Sequence, residues 1–177
     1  MGLRPGRCYK WDSPAYTRVA KNPQDSFITG IPGSKVTKYN MGNLTEKFDT
    51  EVSLVTENRM QIRHNALEAS RIATNNILEE KIGRNTYRFK IRIYPHHVMR
   101  ENVMATGAGA DRVQSGMRGA FGKPVGRAAR LNKNQIVMSV YVNHGEKRIK
   151  NAKTALRAAM SKLPKKMRIL IKPVNER

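Results

Sequence analysis

From Tyr87 to Ile93 the chain alternates without a break, with Tyr87, Phe89, Ile91 and Ile93 at odd positions and Arg88, Lys90 and Arg92 at even ones. A period of two is that of a β-strand, whose successive side chains point to opposite faces of a sheet. This stretch therefore demands a sheet with one face in the core and the other outside it. Cations two residues apart on a strand stand about 7 Å from one another, a spacing comparable with that of phosphates along an RNA strand. Three like charges in a row repel, and a surface shaped only for solubility would mix its signs. The outer face of this strand is expected to meet nucleic acid.

Total charge points the same way. The 34 Lys and Arg against 13 Asp and Glu leave +21 on 177 residues, an imbalance that a polyanion relieves. Residues 1–48 carry eight basic and three acidic side chains, residues 84–133 eleven and two, and residues 134–177 again eleven and two. Only residues 49–83, with four basic and six acidic side chains, have no electrostatic claim on phosphate. The length suits one domain able to bury roughly 70% of its unfolded surface. Cys8 stands alone, so neither an intramolecular disulfide nor a cysteine metal site is available, and the cytoplasm is the expected compartment. No apolar run approaches the roughly 20 residues of a membrane span. Arg4, Arg7 and Lys10 resemble the start of a transit peptide, but Pro5 and Gly6 break the amphipathic helix such a peptide requires.

Residues 1–34 contain Pro5, Pro14, Pro23 and Pro32, which fix φ and withdraw backbone donors, so an extended arm is expected there. Arg4, Arg7, Lys10, Arg18 and Lys21 lie along it, interleaved with Tyr9, Trp11 and Tyr16. Cations on phosphates with rings on unpaired bases would suit RNA. Equally, Trp11 and the tyrosines would serve to anchor the arm to its own domain. Beyond the arm, strands are expected at 36–41 and 50–56. A helix follows at 61–82, with Ile62, Ala66, Ala69, Ala73 and Ile77 inward and Gly83 as its stop. Glu68, Glu79 and Glu80 on that helix read as a solvated face rather than a catalytic or metal-binding set. After the 87–93 strand come a long loop at 100–130, a strand at 136–142, a helix at 146–163 and a last strand at 167–171 with Arg168 and Lys172 outward. On the second helix, Ile149, Ala152, Leu156, Ala159, Met160 and Leu163 point inward and Lys150, Lys153 and Arg157 outward. This order makes a small two-layer α+β domain with a mixed, largely antiparallel sheet and two helices.

The loop carries Gly107, Gly109, Gly116, Gly119, Gly122 and Gly126 with Arg100, Arg112, Arg118, Lys123, Arg127 and Arg130. A dinucleotide fingerprint would need glycine where Arg112 stands, and a phosphate-binding loop of the Walker type would need glycine and a hydroxyl where Met117 and Pro124 stand. His96 and His97 lack a third metal ligand at suitable spacing. Asp111 is the only acid between Glu101 and Glu146, so no acid–base pair or nucleophile triad assembles locally. Enzyme and cofactor readings therefore fail, and a cationic finger remains whose glycines let backbone approach a crowded anionic surface. Such a finger should order only against its partner. Architectural DNA or RNA binding also accounts for the charge.

The segment Ala108-Gly109-Ala110-Asp111-Arg112-Val113-Gln114-Ser115-Gly116-Met117-Arg118-Gly119-Ala120-Phe121-Gly122-Lys123-Pro124 closely resembles the signature of archaeal and eukaryotic large-subunit ribosomal proteins of the L-ten-e type, related to bacterial large-subunit protein sixteen. So do Gln61-Ile62-Arg63-His64-Asn65-Ala66-Leu67-Glu68-Ala69, Arg4-Pro5-Gly6-Arg7-Cys8-Tyr9 and Gly30-Ile31-Pro32-Gly33. The chain ends at Arg177 without the additional segment of the eukaryotic form, which points to an archaeal member. The resemblance implies an α/β-hammerhead domain bound to large-subunit rRNA beside the tRNA cleft, near the peptidyl-transferase centre, and doing no chemistry itself. It implies rRNA contacts at Arg4, Arg7, Lys10, Arg18, Lys21, Arg63, Arg88, Lys90, Arg92, Arg100, Arg118, Lys123 and Arg127. The loop at 100–117, with Arg112, Gln114 and Met117, would reach toward tRNA in the aminoacyl and peptidyl sites. Implied partners are rRNA, tRNA and neighbouring large-subunit proteins, with no membrane and no cofactor. Met104-Ala105-Thr106-Gly107 departs from the eukaryotic loop sequence.

Overall fold

The computed structural model of the protein describes residues 4–9, 11, 13–105, 107–164 and 167–174. In chain order the elements are β1 (Asn40–Gly42), β2 (Thr50–Thr56), β3 (Met60–Arg63), α1 (His64–Lys81), β4 (Tyr87–Ile91), β5 (His97–Glu101), α2 (Ala110–Val113), β6 (Lys123–Leu131), β7 (Ile136–Val142), α3 (Glu146–Met160) and β8 (Met167–Pro173). The fold is α+β, as expected, but its strands divide between two sheets. Five form one sheet in the order β1-β4-β7-β2-β8, and three form another in the order β3-β6-β5, every pairing antiparallel.

Alternation governs the larger sheet. Tyr87, Phe89 and Ile91 of β4 are buried beside Met138, Val140 and Val142 of β7 and Val52 and Leu54 of β2. Against this face lie α1 and α3, which also pack on each other. From α3 the core receives Ala152, Ala155, Leu156 and Ala159, so the expected inward face is the observed one. Small alanines bring α3 close, while leucine fills the remaining space.

The first long helix differs from expectation in start and phase. Residues 60–63 pair with β6 as β3, and α1 begins at His64. Ile62 is wholly buried from the strand, so a helical phase counted from it is displaced. The buried face is Leu67, Ser70, Thr74 and Leu78, while Ala69 is exposed. Two hydroxyls are tolerated in this core because they bond within the helix. Ser70 Oγ donates to the Leu67 carbonyl at 2.7 Å and Thr74 Oγ1 to the Ser70 carbonyl at 2.8 Å.

The second difference is larger. Both ends of the expected loop at 100–130 are strand: β5 takes its first two residues, and β6 takes everything from Lys123 on. The sequence of β6, Lys123-Pro124-Val125-Gly126-Arg127-Ala128-Ala129-Arg130-Leu131, does not alternate in polarity. Ala128, Ala129, Arg130 and Leu131 are all buried because both faces of this central strand are covered. Toward the main core it presents Ala129 and Leu131 with Ile62 and Met60 of β3. Its other face is covered by the N-terminal arm.

Candidate nucleic-acid interface

On the outer face of the large sheet Arg88 and Lys90 of β4, and Arg92 just past its end, have separate fates. Arg92 Nε donates to Ser139 Oγ at 2.9 Å, and its Nη2 donates to Glu51 Oε1 at 2.9 Å and to the Tyr141 hydroxyl. Burial alone would raise the Glu51 pKa, but hydrogen bonds from Ser139 and Ser53, with Arg92 beside them, hold it below the usual carboxylate value. Arg92 is therefore engaged within the protein. Arg88 lies opposite Tyr141 on β7, its guanidinium 5.7 Å from the ring centroid, and its Nε is buried without a partner. Lys90 lies opposite Ser139 and Asn40, and its ammonium has no partner among the described residues.

The small sheet is covered by residues 4–9, 11 and 13–17. Tyr16 donates its amide to His97 Nδ1 at 2.9 Å and receives the Val98 amide on its carbonyl at 2.8 Å. Tyr9, Trp11 and Tyr16 each meet a guanidinium of the domain: Tyr9 with Arg63 at 4.5 Å, Trp11 with Arg59 at 4.5 Å and Arg130 at 5.6 Å, and Tyr16 with Arg100 at 4.5 Å. Of the two uses open to these rings, anchoring is the one observed. Arg63 also donates to the Arg4 carbonyl, and Arg4 pairs with Glu101 at 3.3 Å. Arg100 is held between Tyr16 and Phe121 and donates to the Phe121 carbonyl at 3.1 Å. Arg127 donates to the Pro32 carbonyl and the Tyr94 hydroxyl, each at 3.2 Å.

Arg130 is the deepest cation, 8% exposed, and donates to Gln61 Oε1 at 3.1 Å and to the Ser13 carbonyl. Its Nη2 stands 3.2 Å from His97 Nε2. Because His97 Nδ1 accepts the Tyr16 amide, the proton of the neutral ring belongs on Nε2, and the Arg130 contact is a close approach of two donors. Desolvation, then Arg130, His96 and Arg100, press the His97 pKa down to about 4. The ring is a neutral structural acceptor.

Between β5 and β6 the chain makes a narrow-necked excursion. Gln114 clasps Ala105 through both backbone groups, accepting its N–H at 2.6 Å and donating to its carbonyl at 2.8 Å. The segment this clasp closes contains α2, and a 3₁₀ turn at Gly116–Gly119 follows it before β6, so the finger has local structure of its own. Gly122 closes it with φ at 83°, where a Cβ would stand 3.0 Å from the Glu101 carbonyl carbon. Arg112, Arg118 and Lys123 are exposed and engage no partner among the described residues; Met117 is 76% exposed. Arg7 and Lys21 of the arm are likewise exposed and unpaired there, while Arg18 lies 4.1 Å from the exposed Phe27 ring. Lys10 lies outside the described residues.

Residues 12–170 match the ribosomal protein L16p/L10e family. The chain belongs to this family. It is similar to the large ribosomal subunit protein uL16 of Methanocella arvoryzae, with 49% identity over 97% of this chain and 95% of that protein. The corresponding proteins of Staphylothermus marinus (49% identity, 98% and 96% coverage) and Sulfolobus acidocaldarius (47%, 99% and 97%) agree along the same length. This ribosomal protein is thus a structural component of the large subunit, cytoplasmic and not an enzyme. Sequence reasoning missed Glu51, Ser139 and Tyr141, which decide how Arg92 and Arg88 are used. For Ser139 and Tyr141 the signal was present in β7, where they alternate with Met138, Val140 and Val142 of the core face.

Proposed function

We propose that this ribosomal protein binds large-subunit rRNA beside the tRNA cleft and helps to shape the aminoacyl-tRNA site near the peptidyl-transferase centre. The carrying observation is the division among its cations. Arginines under the arm are engaged internally, whereas Arg112 in the clasped segment and Arg118 just after it, with Lys123 at the start of β6, have no partners among the described residues. A cation kept exposed and unpaired suits a phosphate. The finger at 100–117 reaches toward tRNA in the aminoacyl and peptidyl sites, with Gln114 holding its neck and Arg112 and Met117 near its surface. Arg7, Arg18, Lys21, Arg88 and Lys90 add rRNA contacts; Arg4, Arg63, Arg92, Arg100 and Arg127 contribute field and hold the surface in shape. Neighbouring large-subunit proteins complete the surroundings.

Chemical footprinting of purified large-subunit rRNA, at near-physiological salt and with duplex DNA as competitor, tests this reading. Protection should cluster at nucleotides of the tRNA cleft and survive the competitor. Diffuse protection abolished by DNA would reduce the protein to a nonspecific polycation.

A further inference from the structure

The chain leaves β1 through Gly42, at a φ of 81° and so close to β4 that a Cβ would stand 2.2 Å from the Tyr87 carbonyl oxygen. The Asn43 amide bonds that same carbonyl at 2.8 Å, and Asn43 Oδ1 accepts the Thr45 amide at 3.1 Å, the Thr45 hydroxyl at 2.9 Å and the Glu46 amide at 3.3 Å. This side-chain-closed turn forms one wall of a cleft of about 370 Å³ whose other wall is the outer face of β4 and β7. The size falls within the roughly 300–1,000 Å³ of small-ligand sites.

Its lining is chemically divided. Arg88 contributes a guanidinium with a buried, unpartnered Nε, and Lys90 an ammonium without a protein partner. A buried donor left unmatched is rare in a folded protein, and an anionic oxygen is the acceptor that satisfies it most strongly. Leu44, 54% exposed, and the Tyr141 ring offer apolar surface. Glu46 and Asp49 add carboxylates to the wall and would disfavour a bare phosphate; Glu46 already accepts the Asn43 and Asn143 amides, which leaves Asp49 as the carboxylate for a ribose hydroxyl. Cation, flat apolar surface and carboxylate are the three recognition elements of a ribonucleotide.

We propose that this cleft takes one unpaired ribonucleotide of an RNA strand, with Arg88 and Lys90 on its phosphate, Leu44 and Tyr141 along its base and Asp49 on its ribose hydroxyl. The inference rests on the RNA-binding reading above and adds a single seat with a preference for RNA over DNA, since the 2′-hydroxyl is what separates the two. Arg92 is excluded from the seat by its bonds to Glu51 and Ser139, so of Arg88, Lys90 and Arg92 only the first two are offered to it.

The test uses the whole protein with three probes: purified large-subunit rRNA, a fluorescein-labelled single-stranded RNA octamer and the DNA octamer of the same sequence. RNA should bind about tenfold more tightly than DNA, and Asp49→Asn should bring the two together, since a site built around a hydroxyl rejects the analogue lacking it. Arg88→Gln and Lys90→Gln should each weaken RNA and reduce the salt slope by about one. Lys90→Gln has no internal partner to lose and keeps its melting temperature, so it decides the matter if Arg88→Gln fails to fold. Ultraviolet crosslinking to rRNA should attach a ribonucleotide to the peptide of Tyr141 or of 44–48. Equal affinity for RNA and DNA in the wild type, or unchanged RNA binding by Lys90→Gln, with rRNA binding intact, would overturn the seat alone. Failure of the wild type to bind rRNA would overturn the underlying reading and the seat with it.

Discussion

The arm-covered small sheet and the finger that joins β5 to β6 are built from the same residue type, arginine, and use it in opposite ways. Under the arm, Arg59, Arg63, Arg100 and Arg130 stack on Trp11, Tyr9 and Tyr16. A guanidinium is planar, stays charged and donates from five N–H groups, so it can stack on a ring while bonding carbonyls at its edge. The described residues of the arm form no strand or long helix, and these contacts, with the Tyr16 bonds to β5, hold it instead. On the finger, Arg112 and Arg118 meet no ring, carbonyl or carboxylate among the described residues. A net charge of +21 therefore overstates the number of cations that stand ready for a polyanion. Arginines engaged inside the protein still attract phosphates at a distance, but they are already committed to the fold.

The sharpest way to break this comparison is Arg130→Ala. Losing charge-assisted hydrogen bonds to Gln61 and Ser13 should lower stability by about 4 kcal/mol, at roughly 1.5–3 kcal/mol each. Thermal unfolding would show it, and Trp11, the one tryptophan, should emit as a more hydrated ring. A loss below about 1 kcal/mol, beyond the range of ordinary surface substitutions but no larger, would mean that the arm is held elsewhere.

Next in size is the pH dependence of the same region. The folded His97 titrates at about 4 against the ordinary 6.5, so the unfolded chain takes up a proton that the fold refuses. Its contribution is whole above pH 6.5 and is lost as pH falls toward 4, on the order of 3 kcal/mol in all. Glu51, whose pKa is lowered on the other sheet, adds a loss of the same sign once pH falls below the usual carboxylate range. Denaturant titrations between pH 4 and 7 should show the His97 slope in the wild type and a flatter line in His97→Gln, whose amide oxygen still accepts the Tyr16 N–H. Parallel slopes would assign the acid sensitivity to other groups. The smallest stability effect belongs to the finger: Arg112→Gln with Arg118→Gln should melt within about 0.5 kcal/mol of wild type, yet lower the salt slope of rRNA binding by about two. Destabilisation by this pair would erase the distinction between the two regions.

Where hydrophobic pattern alone decides an element, the chain was legible. β7 and α3 begin where their patterns begin, and the core face of β4 is the one its alternation specifies. The failures have separate causes. β6 is buried on both faces, so its small and basic residues carry no period, and β3 imitates the first turn of α1 because Ile62 and Ala66 stand four apart. At the candidate site, residue types and the finger could be read directly, but which cations are unpaired could not. Arg88 and Arg92 are alike in sequence. Glu51 and Ser139, 41 and 47 residues away from Arg92, bond the one, while Arg88 is left with an unmatched Nε.

By itself, then, the sequence determined the charge, the alternation of β4, the amphipathic α3 and the family. Only the tertiary structure decided that the strands form two sheets, that the arm's rings face inward and that Arg130 is buried. Local patterns are fixed by neighbours a few residues apart, whereas the burial and pairing of a cation depend on what distant segments bring to its side.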